Sequence, residues 1–204
     1  GYPNKFDPNN IGDKDVIYIG ATTSRDVPKI MAIASQGSSL YIYEISPEMI
    51  QGKKGTICSG YWELTPETGL VEGKLPVATS AYFDRMFYYA VGNKIYRADL
   101  TRSTPRSYEI YAHPDPSVRI TRLKFRSQRE DRWDISGGDE VEAIPYDFVS
   151  YLGGVAEYPD GNCSMLEMKL TAAGEIDKEE GTKDLMVYEF KGFKNVVDFV
   201  YAFK

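Results

Sequence analysis

The chain has 204 residues, 42% of them hydrophobic and 26% charged, so it is globular rather than disordered and long enough to bury a core of its own. Its net charge is −6, and the single basic run, Arg119 to Arg132, alternates in its first part with Ile120, Leu123 and Phe125 as a half-buried strand would; both weigh against a nucleic-acid partner. No apolar run approaches the roughly 18 residues of a membrane span, and 16 tyrosines beside two tryptophans and one histidine favour β-structure, and carbohydrate or peptide binding over metal chemistry.

Residues 1–14 read as a tag scar with an N-terminal extension, since the chain opens Gly1-Tyr2-Pro3-Asn4. From Asp15 onward, short β-rich or alternating stretches follow one another: VIYIGAT, KIMAIAS, SLYIYEI, TSAYF, MFYYAV, KIYRADL, SYEIYAH, RITRLKF, FVSYLGGVAEY, SMLEMKL, LMVYEF and NVVDFVYAF. Ser46 to Gln51 carries the cap and proline of one helical turn and nothing longer. Residues 127–145 have no clean periodicity and read as a long inserted loop.

Three hairpins share one form: IMAIASQGSSLYIYEIS, FYYAVGNKIYRADLT and GGVAEYPDGNCSMLEMKLT, with Leu40, Ile95 and Met165 in equivalent places. In the middle one, Gly92-Asn93 suits a two-residue type II′ turn that pairs Val91 with Lys94 and Tyr89 with Tyr96. Phe87, Tyr89, Tyr96, Ala98 and Leu100 then share one face; Met86, Tyr88, Ala90, Ile95, Arg97 and Asp99 share the other. Both faces are largely apolar, which places this sheet between two neighbours. The expected fold is all-β: a propeller-like succession of three to four antiparallel sheets in one domain, a small or partial β-propeller.

The hairpin NKIYRADL, the strand SLYIYEI and the C-terminal KDLMVYEFKGFKNVVDFVYAFK resemble the propeller-like C-terminal region of PKD-like family lipoproteins of Bacteroidetes, over about two thirds of the chain. The resemblance implies a fragment of a longer cell-envelope lipoprotein, outer-membrane-anchored or periplasmic, used in polysaccharide utilisation. Its partners would be a polysaccharide or oligosaccharide, or outer-membrane transport proteins. It carries over no catalytic residue, cofactor or metal.

The residues themselves point the same way. Gly137-Gly138-Asp139-Glu140 spells the diguanylate-cyclase signature without that fold's helices, and Val141 stands where a phenylalanine is expected; it is read as a coincidence in an acidic loop. Asn162-Cys163-Ser164 is explained by the turn Pro159-Asp160-Gly161-Asn162. His113 lacks a second histidine and a nucleophile elbow and reads as a loop residue. Asp177 to Gly181 reads as a solvated turn. Cys58 and Cys163 are too few for a disulfide framework and read as buried free thiols, with a bridge as the alternative.

Flat aromatic faces edged by polar groups stack on sugar rings, which singles out Trp133, flanked by Arg132 and Asp134, and then Tyr61 and Trp62. Either tryptophan can instead fill space between sheets, as the strand-like context SGYWEL suggests for Trp62. The expected function is a non-catalytic binding module. The alternatives are a polysaccharide hydrolase or lyase using paired carboxylates among Asp84, Asp99, Asp134, Asp139 and Glu140, and a protein–protein scaffolding domain.

Overall fold

The computed structural model describes residues 14–21, 30–36, 39–45, 58–66, 78–83, 86–102, 105–130 and 147–201. Among the described residues there are twelve strands and no helix. The strands are β1 (Asp15–Ala21), β2 (Ile30–Gln36), β3 (Ser39–Ile45), β4 (Cys58–Pro66), β5 (Ala78–Phe83), β6 (Met86–Val91), β7 (Lys94–Asp99), β8 (Arg106–Ala112), β9 (Arg119–Glu130), β10 (Asp147–Glu157), β11 (Asn162–Leu170) and β12 (Val187–Lys194). Each consecutive set of four forms an antiparallel meander, giving a first, second and third sheet.

The three sister hairpins are β2–β3, β6–β7 and β10–β11, the central hairpin of each sheet. A short parallel seam, Thr65 opposite Arg106 and Pro66 opposite Ser107, links the outer strands β4 and β8 and joins the first two sheets edge to edge. The opening strands of the sheets lie near one another, β5 beside both β1 and β9.

The β6–β7 hairpin has the expected register, Val91 opposite Lys94 and Tyr89 opposite Tyr96. Gly92 takes φ +59° while Asn93 keeps a negative φ, a combination that fits type II′ and not type I′. The turn is also tied to the chain that leads into the third sheet. Asn93 Nδ2 donates to the His113 carbonyl at 2.9 Å, the His113 amide donates to the Asn93 carbonyl at 2.8 Å, and the Ile120 amide donates to the Gly92 carbonyl at 2.8 Å.

The second sheet is covered on both faces. Phe87, Tyr89, Tyr96, Ala98 and Leu100 pack with Ile33, Leu40, Ile42 and Leu64 of the first sheet. Tyr88, Ala90 and Ile95 pack with Ile120, Leu123, Leu152, Ala156, Leu166 and Met168 of the third. The Tyr88 hydroxyl, buried in the second of these cores, donates to the Gly174 carbonyl at 2.8 Å, as a buried phenol requires.

The stretch SGYWEL is part of a strand, β4, as its context suggests. Two differences from the sequence expectation are physical. β9 runs to Glu130 and pairs Ser127–Glu130 with Asp147–Ser150, because the long β9–β10 hairpin continues its ladder into residues expected to be loop. NVVDFVYAF joins no ladder over its described part: residues 195–201 instead cross the outer face of the third sheet as a strap. Residues 1–13, the possible helical turn at 46–51 and the segment 131–146 lie outside the described residues.

Candidate binding face

The third sheet has one face against the second and one face outward. Pairing sets the outward members: Lys124 and Arg126 of β9, Tyr151 and Gly153 of β10, Met165 and Glu167 of β11, and Tyr188 and Phe190 of β12. At Gly192 the register slips by one residue, so that Lys191 opposes Ser164 and Phe193 opposes Cys163. That slip returns Phe193 to the face of Tyr188 and Phe190. The result is a row of three aromatics along the last strand, 44%, 53% and 43% exposed for Tyr188, Phe190 and Phe193.

The opposite face of β12 is polar and also reaches solvent. Glu189, between the two exposed aromatics, shares the inward face with Leu166, and its Oε1 accepts a 2.8 Å hydrogen bond from the Tyr158 hydroxyl. His113 completes this inward group. Its ring is buried, meets Tyr111 and Tyr158 edge-on, accepts the Asp115 amide on Nδ1 at 3.1 Å and presents Nε2 to Glu189 at 3.7 Å. The expected loop histidine thus follows a strand as expected, but it is a packed hub at the polar end of a core.

Beside the aromatic row, the strap covers β9 and β10. Asp198 pairs with Lys124 at 3.0 Å, the Lys124 ammonium lies over the Phe199 ring, and Arg126 lies over both Tyr151 and Tyr201 while pairing with Glu167 at 3.0 Å. Only glycine allows this approach: a Cβ on Gly153 would sit 2.1 Å from the Tyr201 hydroxyl. The strap turns Val197 and Val200 outward, 76% and 80% exposed. Five of the eight exposed large hydrophobic residues among the described residues therefore fall between Tyr188 and Val200.

Of the residues chosen from sequence, Trp62 is half-buried against the core between the first two sheets, opposite Ile42, so its ring fills space there. Tyr61 lies in β4 opposite Tyr43. Arg132, Trp133 and Asp134 lie outside the described residues. Cys163 is a buried free thiol. The turn at 158–162 closes through the Gly161 amide on the Tyr158 carbonyl and the Asn162 amide on Asp160, as its sequence implies. Residues 179–184 form an exposed turn.

Among the paired-carboxylate candidates, Asp84, Asp134, Asp139 and Glu140 lie outside the described residues. Asp99 is held below the usual carboxylate range by the Thr101 hydroxyl, which donates at 2.6 Å. A carboxyl held ionised in this way is unsuited to donating a proton near neutral pH. Among the described residues no cluster of His, Cys, Asp and Glu has the make-up of a metal site. What the outward face can do is stack: three flat aromatic rings stand in a row along it.

Comparison of the chain with protein-family models, with curated proteins and with solved structures returns no match.

Proposed function

We propose that the chain is a non-catalytic, glycan-binding module of a bacterial cell-envelope lipoprotein, acting in polysaccharide utilisation, and that Tyr188, Phe190 and Phe193 are its platform. The observation that carries this reading is the row of three aromatics on the outward face of β12, 44%, 53% and 43% exposed. Core packing alone would bury rings of this size, and three left in water along one strand mark a surface kept for contact. Sugar rings present apolar C–H faces that such a row can meet, each stack contributing about 0.5–1.5 kcal/mol.

The envelope setting rests on the likeness of NKIYRADL, SLYIYEI and KDLMVYEFKGFKNVVDFVYAFK to the PKD-like lipoproteins. Three successive four-stranded meanders, with β1, β5 and β9 near one another, support reading the sheets as blades of a propeller-like arc. Trp133, with Arg132 and Asp134, stays in the proposal as a second platform. Affinity electrophoresis and isothermal titration against plant, host and microbial polysaccharides test the reading. Binding that falls at least tenfold in a Tyr188→Ala, Phe190→Ala, Phe193→Ala variant supports it, and no shift with any polysaccharide removes it.

A protein partner, such as an outer-membrane transporter, is the second reading. The outward Val197 and Val200 favour it, as does β12, which pairs on one side only among the described residues. Valine offers no flat face to a sugar. Cross-linking from position 197 separates the readings: capture of a transport protein supports the second and leaves the aromatic row as part of a protein interface.

A further inference from the structure

The two gaps between sheets differ. The first and second sheets are closed at their outer edge by the β4–β8 seam, whereas the second and third part beyond it and leave a cleft of about 510 Å³. One wall is the end of the second sheet, with Arg97, Asp99, Arg102, Arg106 and Tyr108; the other is the arm joining β11 to β12, with Glu175, Ile176, Lys178 and Leu185. The volume lies in the range of pockets that hold small ligands, roughly 300–1,000 Å³.

Four cations line this cleft against three carboxylates. Of the carboxylates, Glu109 is engaged by Lys94 at 2.6 Å, and Asp99 stays ionised, accepting the amide and hydroxyl of Thr101 on one oxygen and facing Arg102 with the other. Glu175 lies 3.7 Å from Arg97, whose guanidinium also donates to the Ala173 carbonyl and braces the arm. Arg102, by contrast, is 69% exposed and meets Asp99 only at 4.0 Å. Lys178 on the other wall is likewise exposed, so cations stand on both walls of a cleft in a chain of net charge −6. Between them Tyr108, 45% exposed, offers a flat ring, and Ile110, Ile176 and Leu185 supply apolar surface.

We infer that this cleft is a subsite for a carboxylate-bearing sugar, a uronic acid unit, seated with its apolar face on Tyr108 and its carboxylate between Arg102 and Lys178. The inference rests on the glycan-binding reading and adds to it a second, charge-selective site away from the β12 row. Cations on opposing walls meet a carboxylate from two sides, and because both side chains are exposed, salt screens their attraction.

The test is titration of the full chain with trigalacturonic acid, its methyl ester and a neutral trisaccharide, in low and in 0.5 M salt. The wild type is expected to prefer the free acid at least tenfold over the ester, with the preference lost in high salt and in Arg102→Gln, Lys178→Gln. A Phe190→Ala variant is expected to keep it. Equal affinity for acid and ester, or a preference unchanged in the Gln variant, overturns the subsite. Equal binding of a tri-glutamate peptide overturns the sugar assignment and leaves a general anion site. Neutral polysaccharide binding at the β12 row without uronate binding overturns this inference alone; no glycan binding of any kind overturns both readings.

Discussion

Single side chains decide the most here where they are exposed or confined. Phe190 stands half-exposed on the outward face while Glu189, on the other, accepts the Tyr158 hydroxyl, and Phe190→Ala should weaken glycan binding up to about tenfold, the worth of one stacked ring. Its melting temperature should stay within about 2 °C of wild type, since the ring it removes is already solvated. Gly153→Ala should act in the opposite sense. The new Cβ displaces Tyr201, so hydrogen exchange and chymotryptic cleavage across residues 196–201 should rise with only a small loss of global stability. The aromatic row was hidden in the sequence because Tyr188 and Phe190 alternate with charge as any half-buried strand does. Which side meets the core depends on the second sheet, which the local pattern does not contain. Trp62, conspicuous in the sequence, is spent on filling the space between sheets.

Charged and phenolic groups add a pH dependence of definite sign. Asp99, Asp115 and Asp198 are held below the ordinary carboxylate range, chiefly by the Thr101 hydroxyl, the Ser117 hydroxyl and the Lys124 ammonium respectively. The unfolded chain binds their protons more readily than the folded one, so their contribution is present above about pH 4 and is lost as pH falls through the depressed folded values. Burial acts oppositely on tyrosine, pushing Tyr111 up to about 12 and Tyr88, Tyr89 and Tyr201 higher still. The unfolded chain loses those protons first, so stability should also decline above about pH 10. Urea midpoints across this range should form a plateau with two falling flanks. A flat acid flank in wild type, or an unchanged one after Asp99→Asn with Asp198→Asn, would contradict the assignment.

Elements were legible where a local constraint fixes geometry. A two-residue turn leaves β6–β7 one register, and period two then assigns every side chain to a face, so both faces of the second sheet could be read from fifteen residues. The strap was not legible for the same reason stated in reverse. NVVDFVYAF has the composition of a strand, but a ladder needs a partner edge, and the chain beyond Asn195 instead turns across the sheet to meet Gly153 and Arg126. The β6–β7 turn makes a sharper prediction, because it is also the tie between sheets. Asn93→Ala should remove the bond to His113 and cost about 1 kcal/mol, lowering the urea midpoint without changing the slope. A neutral result would mean that the reciprocal backbone bond alone holds the turn.

The whole molecule is a series in which the middle sheet belongs to two cores. Tyr89 serves one and Tyr88 the other from adjacent positions, so damage on either side should be felt in both. Leu40→Ala and Leu166→Ala, one in each core, should each cost about 2–5 kcal/mol within a single unfolding transition. Two separate transitions would show that the sheets melt independently. Succession also explains where a binding surface can arise: the second sheet is covered on both faces, and the third keeps an outward face only partly closed by the strap. The most direct measurement of the central claim is an amide NMR titration of the chain with a neutral oligosaccharide drawn from a bound polysaccharide. The account predicts shifts concentrated at Tyr188 to Phe193 and their β11 partners. Shifts centred elsewhere, with β12 unmoved at saturation, would contradict it.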